Sequence, residues 1–184
     1  MPTFELQSMA IEMPPCVAHP NRAPFRGVLT LVDTPSDRSP SGANGHRVLL
    51  TRVACEKALP SLLGMGLDYA PALDAHDAQR KIGIITEANI VDGRRSMGDA
   101  KSLSRALSSA SIEIAGFLYA RDFPRILRTL RAASLVYGMS YEITEARVEE
   151  MRAPVWTVTE FTFTGAAVLR RDKAAYQDTW FELI

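Results

Sequence analysis

What most constrains this chain is a succession of short segments with strand character, joined by connections too brief for repeated right-handed helical crossovers. The clearest is Lys81-Ile-Gly-Ile-Ile-Thr-Glu-Ala-Asn-Ile-Val91, rich in β-branched residues that suit a pleated, half-buried surface. Strands are also predicted over 27–32, 46–53, 111–119, 134–143 and 155–163. Helices are expected in fewer places. Residues 55–63 read as a short helix broken at Gly64 and Gly66. Residues 121–133 read as a better one, with Asp122 able to cap, Pro124 in the first turn and Ile126, Leu127 and Leu130 in one stripe. A last short helix is expected from about 166 to 179. This pattern disfavours a doubly wound sheet. It predicts an α+β, mainly β chain: a closed or partly open antiparallel β-barrel flanked by helices.

The 184 residues, 47% of them hydrophobic, suffice for one domain with a substantial core, so 1–184 is read as a single unit. Two segments interrupt it. Residues 33–45, Asp-Thr-Pro-Ser-Asp-Arg-Ser-Pro-Ser-Gly-Ala-Asn-Gly, bury too little apolar surface to offset the entropy of ordering and are expected to form a flexible loop. Residues 92–110 are read as an excursion, partly helical through Leu103 and Leu107. Lys plus Arg equal Asp plus Glu at 21 each, so no global basic field exists to gather nucleic acid or anionic lipid. Residues 1–20 lack a basic region followed by an apolar run, so no signal peptide is expected, and no stretch nears the ~20 apolar residues of a membrane span. Cys16 and Cys55 fit no disulfide framework and are read as small buried residues.

Three histidines stand in the chain, and a serine hydrolase needs a proton acceptor that titrates near neutrality. His76, in Ala70-Pro-Ala-Leu-Asp-Ala-His-Asp-Ala-Gln79, immediately precedes the 81–91 strand and is the strongest candidate base. Ser140 lies in Leu135-Val-Tyr-Gly-Met-Ser-Tyr-Glu-Ile143, where Gly138 two residues earlier is expected to open room on the same strand face. The spacing Gly138-x-Ser140-x-Glu142 is not the nucleophile elbow of an α/β-hydrolase.

Taken together these segments resemble the prohead proteases of tailed bacteriophages, relatives in fold of the herpesvirus assembly proteases, over roughly positions 25–179. The similarity is carried in order by Tyr69-Ala-Pro-Ala-Leu-Asp-Ala-His-Asp77, Lys81-Ile-Gly-Ile-Ile-Thr86, Gly116-Phe-Leu-Tyr-Ala-Arg-Asp-Phe-Pro124, Tyr137-Gly-Met-Ser-Tyr-Glu-Ile143 and Glu160-Phe-Thr-Phe-Thr-Gly-Ala-Ala167. The resemblance implies a serine endopeptidase with Ser140 as nucleophile and His76 as general base. Its substrates would be the scaffold and major capsid proteins, cut inside the assembling procapsid in the host bacterial cytoplasm. It calls for no cofactor and no metal, and leaves room for a homo-oligomer.

The resemblance implies an acid on the strand after the serine as third member, since the family's Glu-hydrophobic-Ser/Thr-hydrophobic segment is similar to Glu160-Phe-Thr-Phe163. The herpesvirus relatives use a second histidine, but none follows Ser140 here, and period-two alternation predicts Trp156, Val158, Glu160 and Thr162 on one largely apolar face. Glu142, Glu145 and Asp74 are rivals for that role. Oxyanion donors are open among backbone amides and Arg94, Arg95 or Arg121. Glu142 stands where many family members carry glycine, a departure that suits altered specificity or a catalytically inactive capsid and scaffold partner built on the same fold. A zinc reading rests on Cys16-x-x-His19 with His46 and Cys55, which lack the usual second close pair. The tail 179–184 reads as a docking segment, a self-cleavage region or a terminus packed back on the barrel, the last preferred.

Overall fold

The computed structural model describes residues 19–93, 109–132 and 136–184. Among them are eight strands: β1 (Arg22–Leu31), β2 (Arg47–Leu50), β3 (Gly66–Asp68), β4 (Lys81–Val91), β5 (Ser111–Tyr119), β6 (Tyr137–Val148), β7 (Val155–Arg170) and β8 (Trp180–Leu183). They form one strongly curled mixed sheet, a half-barrel, accompanied by helices α1 (Arg52–Ala58) and α2 (Pro124–Ala132). The fold is mainly β, as the sequence predicts. β4 and β5 have the expected bounds, and Ile126, Leu127 and Leu130 are the buried stripe of α2. The sheet is not purely antiparallel, however, because β2 and β3 both run parallel to β7.

β7 organises the molecule. One of its edges carries β6 along almost its whole length, and the other takes β2 at Val155–Val158 and β3 at Ala166–Ala167. Between those two pairings the backbone amide of Phe163 donates instead to Ser61 Oγ, in the 3-10 turn Leu59–Leu62 that follows α1. From β3 the sheet continues through β4, β5, β1 and β8, curling until β6 packs against β1 and β8. Gly116 permits the tightest approach, since a Cβ there would lie 2.0 Å from the carbonyl oxygen of Ile84.

The main core lies on the concave side, built from Phe25, Leu29, Ile82, Ile85, Ile112, Leu118, Met139, Phe163, Ala166 and Val168. Ala167, Leu169 and Ala174 form a small separate cluster on the opposite face of β7.

Several sequence expectations are corrected. No helix spans 166–179: β7 runs on to Arg170, followed by a 3-10 turn at Arg171–Lys173. Ala166 and Ala167 pair on both sides, with β6 and β3, and this overrides the helix preference of the Ala-Ala-Val-Leu run. α1 starts at Arg52 rather than Cys55, because Thr51 Oγ1 accepts from the Ala54 amide and caps it. Asp122 stands one residue outside the cap of α2, where its carboxylate accepts from Asn21 Nδ2.

The 33–45 segment has no regular element, but its first half is tied to β2 and to the turn after β7 through Ser36 N to Val48 O and Asp37 N to Ala175 O, both 2.8 Å. Most of the 92–110 excursion lies outside the described residues. The chain end packs back as β8 on β1. No helix among the described residues is long and apolar enough to cross a membrane.

Candidate functional site

One row of partners across the sheet builds the site: Ser140 opposite Ala167, Ala167 beside Asp68, and Asp68 opposite Lys81. Directly opposed residues share a face. Since Ala166 and Val168 point into the main core, this row points to the convex side. Glu142, two residues from Ser140 with no bulge between them, shares that face. Its carboxylate lies over Gly165, where a Cβ would sit 2.7 Å from Glu142 Oε2 and 3.4 Å from Lys81 Nζ. The missing side chain there is what lets acid and amine meet above β7.

His76 arrives on the β3–β4 connection, which is pinned at several points. The Arg170 amide donates to Leu73 O at 2.7 Å, and the Asp77 amide donates to Asp68 Oδ1 at 3.1 Å. Leu73 is buried and held at φ 53°, a left-handed conformation uncommon for a leucine, so packing outweighs local strain in shaping the loop.

The His76 ring is thereby set with Nδ1 3.1 Å from Glu142 Oε1 and 3.8 Å from Asp68 Oδ1. Neither approach has hydrogen-bond alignment, and Nδ1 is sealed from solvent. Lys81 Nζ donates to Asp68 Oδ2 at 3.0 Å and lies 3.8 Å from Glu142 Oε2. Asp68 is fully buried. Burial alone would raise its pKa, but His76, Lys81 and the Asp77 amide together outweigh it and hold the carboxyl below its ordinary value, so it is ionised at neutral pH.

Of the predicted residues, Ser140 and His76 lie on the same convex face, and Ser140 Oγ forms no hydrogen bond, with His76 or any other group, among the described residues. Ser140 borders a cleft of about 10 Å³ with Leu29, Pro40 and Tyr176, room for about one water. Gly138 does not open the expected space, because Thr179 Oγ1 lies 2.7 Å from where its Cβ would be and accepts from the Met139 amide.

Glu160 is not brought to His76. It is 60% exposed and pairs with Arg147 at 3.1 Å, seven residues along β7 from the Ala167 row, roughly 20 Å away. The register of β6 against β7 shifts between Val158 and Thr162, so Val158 and Phe161 face inward in turn and Glu160 faces out. Glu160 instead lines a groove of about 670 Å³ with Lys57, Ser61, Glu145 and Phe161.

Among the rivals, Glu142 reaches the histidine. Glu145 lies in that groove and accepts from Thr162 Oγ1. Asp68 was missed by sequence reasoning, its only signal being an acid inside the apolar Gly66-Leu-Asp-Tyr69 stretch.

Arg94 and Arg95 fall outside the described residues, and Arg121 sits in the turn before α2 with its amide on Asn21 Oδ1. Arg171 is a further arginine near the serine strand: its Cα lies 3.4 Å from the position of a Gly138 Cβ, and its Nε is buried without a hydrogen bond. The alternative zinc set of Cys16, His19, His46 and Cys55 does not assemble among the described residues. His46 stacks on Trp156 at 4.6 Å with Nδ1 2.9 Å from Ala153 O, and Cys55 is buried in α1, while Cys16 lies outside the described residues.

No protein-family model matches the chain, and neither a curated protein nor a solved structure matches it.

Proposed function

We propose that the chain is a serine endopeptidase that cleaves scaffold and major capsid proteins during prohead maturation, with Ser140 as nucleophile and His76 as base. The observation carrying this reading is the orientation of His76: Nδ1 faces two carboxylates, leaving the other ring nitrogen for a serine proton. Ser140 stands on the same face, two residues from one of those carboxylates.

The acid role passes from Glu160 to Glu142 and Asp68. Either carboxylate stabilises the imidazolium that forms as Ser140 attacks a peptide carbonyl, and holds the ring for its return of the proton to the leaving amine. An acyl-enzyme then forms and water releases it. Arg171, with its unpaired Nε, is the arginine best suited to hold an oxyanion or a water beside it. The setting is the assembling procapsid in a bacterial cytoplasm.

The second reading, an inactive protease-fold partner of capsid or scaffold, draws on the closure of Gly138 by Thr179 and the small cleft at Ser140. Co-expression with capsid and scaffold proteins separates the two. The protease reading expects shortened partners with wild type and intact ones with Ser140→Ala. Intact partners in both cases favour the assembly role.

A further inference from the structure

Proton transfer at His76 needs only one of the two carboxylates that face it. Asp68 and Glu142 each divide their oxygens between two neighbours. Oδ2 and Oε2 face Lys81 Nζ at 3.0 and 3.8 Å, while Oδ1 and Oε1 face His76 Nδ1 at 3.8 and 3.1 Å. One ligand atom from each of the three residues lies within 4.8 Å of the other two. Ligand atoms on a tetrahedral Zn²⁺ stand about 3.3 Å apart, given bonds of about 2.0–2.1 Å, so the two separations from Nδ1 bracket that spacing.

Nδ1 is also a buried nitrogen with no hydrogen-bond partner, within 3.8 Å of both acids. Two carboxylates against one ammonium leave one negative charge when the imidazole is neutral. Lys81 and the Asp77 amide supply the outer hydrogen bonds that orient ligating carboxylates.

We infer that Asp68, His76 and Glu142 form a three-ligand site for a divalent transition metal, Zn²⁺ by its donor set, with a fourth position open to water. The imidazole separates this set from the all-oxygen cages of Ca²⁺ and Mg²⁺. The site stands whether or not the chain is a protease. One consequence rests on the proteolytic reading: an ion on Nδ1 lowers the basicity of the ring and occupies both carboxylates, so Zn²⁺ suppresses processing.

The test is calorimetric titration of Zn²⁺ into the metal-free full chain, its Ser140→Ala, Glu142→Gln and His76→Gln variants, and a Co²⁺ visible spectrum of the wild type. Expected are one Zn²⁺ per wild-type chain, visible bands of four-coordinate Co²⁺, unchanged affinity in Ser140→Ala, and affinity at least about tenfold weaker in both ligand variants. Circular dichroism of Glu142→Gln, a same-shape change at a partly exposed position, separates loss of a ligand from loss of fold. Absence of stoichiometric binding in the wild type overturns the inference, as does a site that survives both ligand replacements. A wild-type chain that binds zinc yet cuts nothing even when metal-free sinks the protease reading alone. Processing without zinc binding sinks the metal site alone.

Discussion

Lys81→Met removes the ammonium 3.0 Å from Asp68 Oδ2 while nearly conserving volume, and leaves a fully buried carboxylate with only the imidazole and the Asp77 amide beside it. Breaking a wholly buried ion pair costs about 3–5 kcal/mol, most of it the penalty of the stranded charge. Lys81 is 35% exposed, so water reaches its end of the pair and the expected loss falls to about 2 kcal/mol. Asp68→Asn in the same background removes the stranded charge. The double variant should therefore be more stable than the sum of the single losses by about 1 kcal/mol or more. Equilibrium urea unfolding at neutral pH, followed through Trp156 and Trp180, measures all four proteins. A coupling below about 0.5 kcal/mol would refute the view that Asp68 is held ionised by Lys81 inside the sheet.

Five other outcomes follow from the structure. Gly116→Ala, whose Cβ would lie 2.0 Å from a backbone oxygen, should cost about 3 kcal/mol or more in urea unfolding. Gly42→Ala, at φ 84° with no neighbour within 4 Å, should cost only the left-handed penalty of about 1–2 kcal/mol. Burial, aided by the Asp33 and Glu56 charges and opposed by Arg52, pushes the Cys55 thiol up to about 12. The native chain should therefore resist alkylation of Cys55 at pH 8 and react on unfolding. Because the unfolded thiol titrates near 9, the Cys55 contribution to stability is intact below about pH 9. It is lost as pH rises from about 9 to about 12, so the stability difference from Cys55→Ala should change across that window. Glu160→Gln breaks only the exposed pair with Arg147, so stability should change by less than about 0.5 kcal/mol and processing not at all. Asp68→Asn should lower processing at least about tenfold at unchanged fold, as measured by mass spectrometry of the partners.

How far the sequence reveals this molecule depends on whether local preference and sheet pairing agree. They agree at Lys81–Val91 and Ser111–Tyr119, where β-branched residues sit in strands paired on both edges, and the bounds are legible. They conflict after Gly165, where Ala-Ala-Val-Leu favours a helix in isolation but lies between β6 and β3. The Glu160 assignment assumed unbroken alternation along β7, and the shifted register of the β6–β7 hairpin sends that carboxylate to solvent. Asp68 escaped notice because its partners come from two separate places, a loop and the next strand. Only the parallel docking of β3 on β7 lines them up, and nothing local announces a parallel pairing two residues long. His76 was legible through its position ahead of β4, while its orientation depends on the Leu73 and Asp77 backbone contacts.

The most direct test of the central claim is the intact mass of capsid and scaffold proteins co-expressed with wild type, Ser140→Ala or His76→Ala, with all three forms checked by circular dichroism. The account predicts shortened partners with wild type and full-length partners with both variants. Cleavage by Ser140→Ala at the wild-type level, or none by wild type, would contradict it.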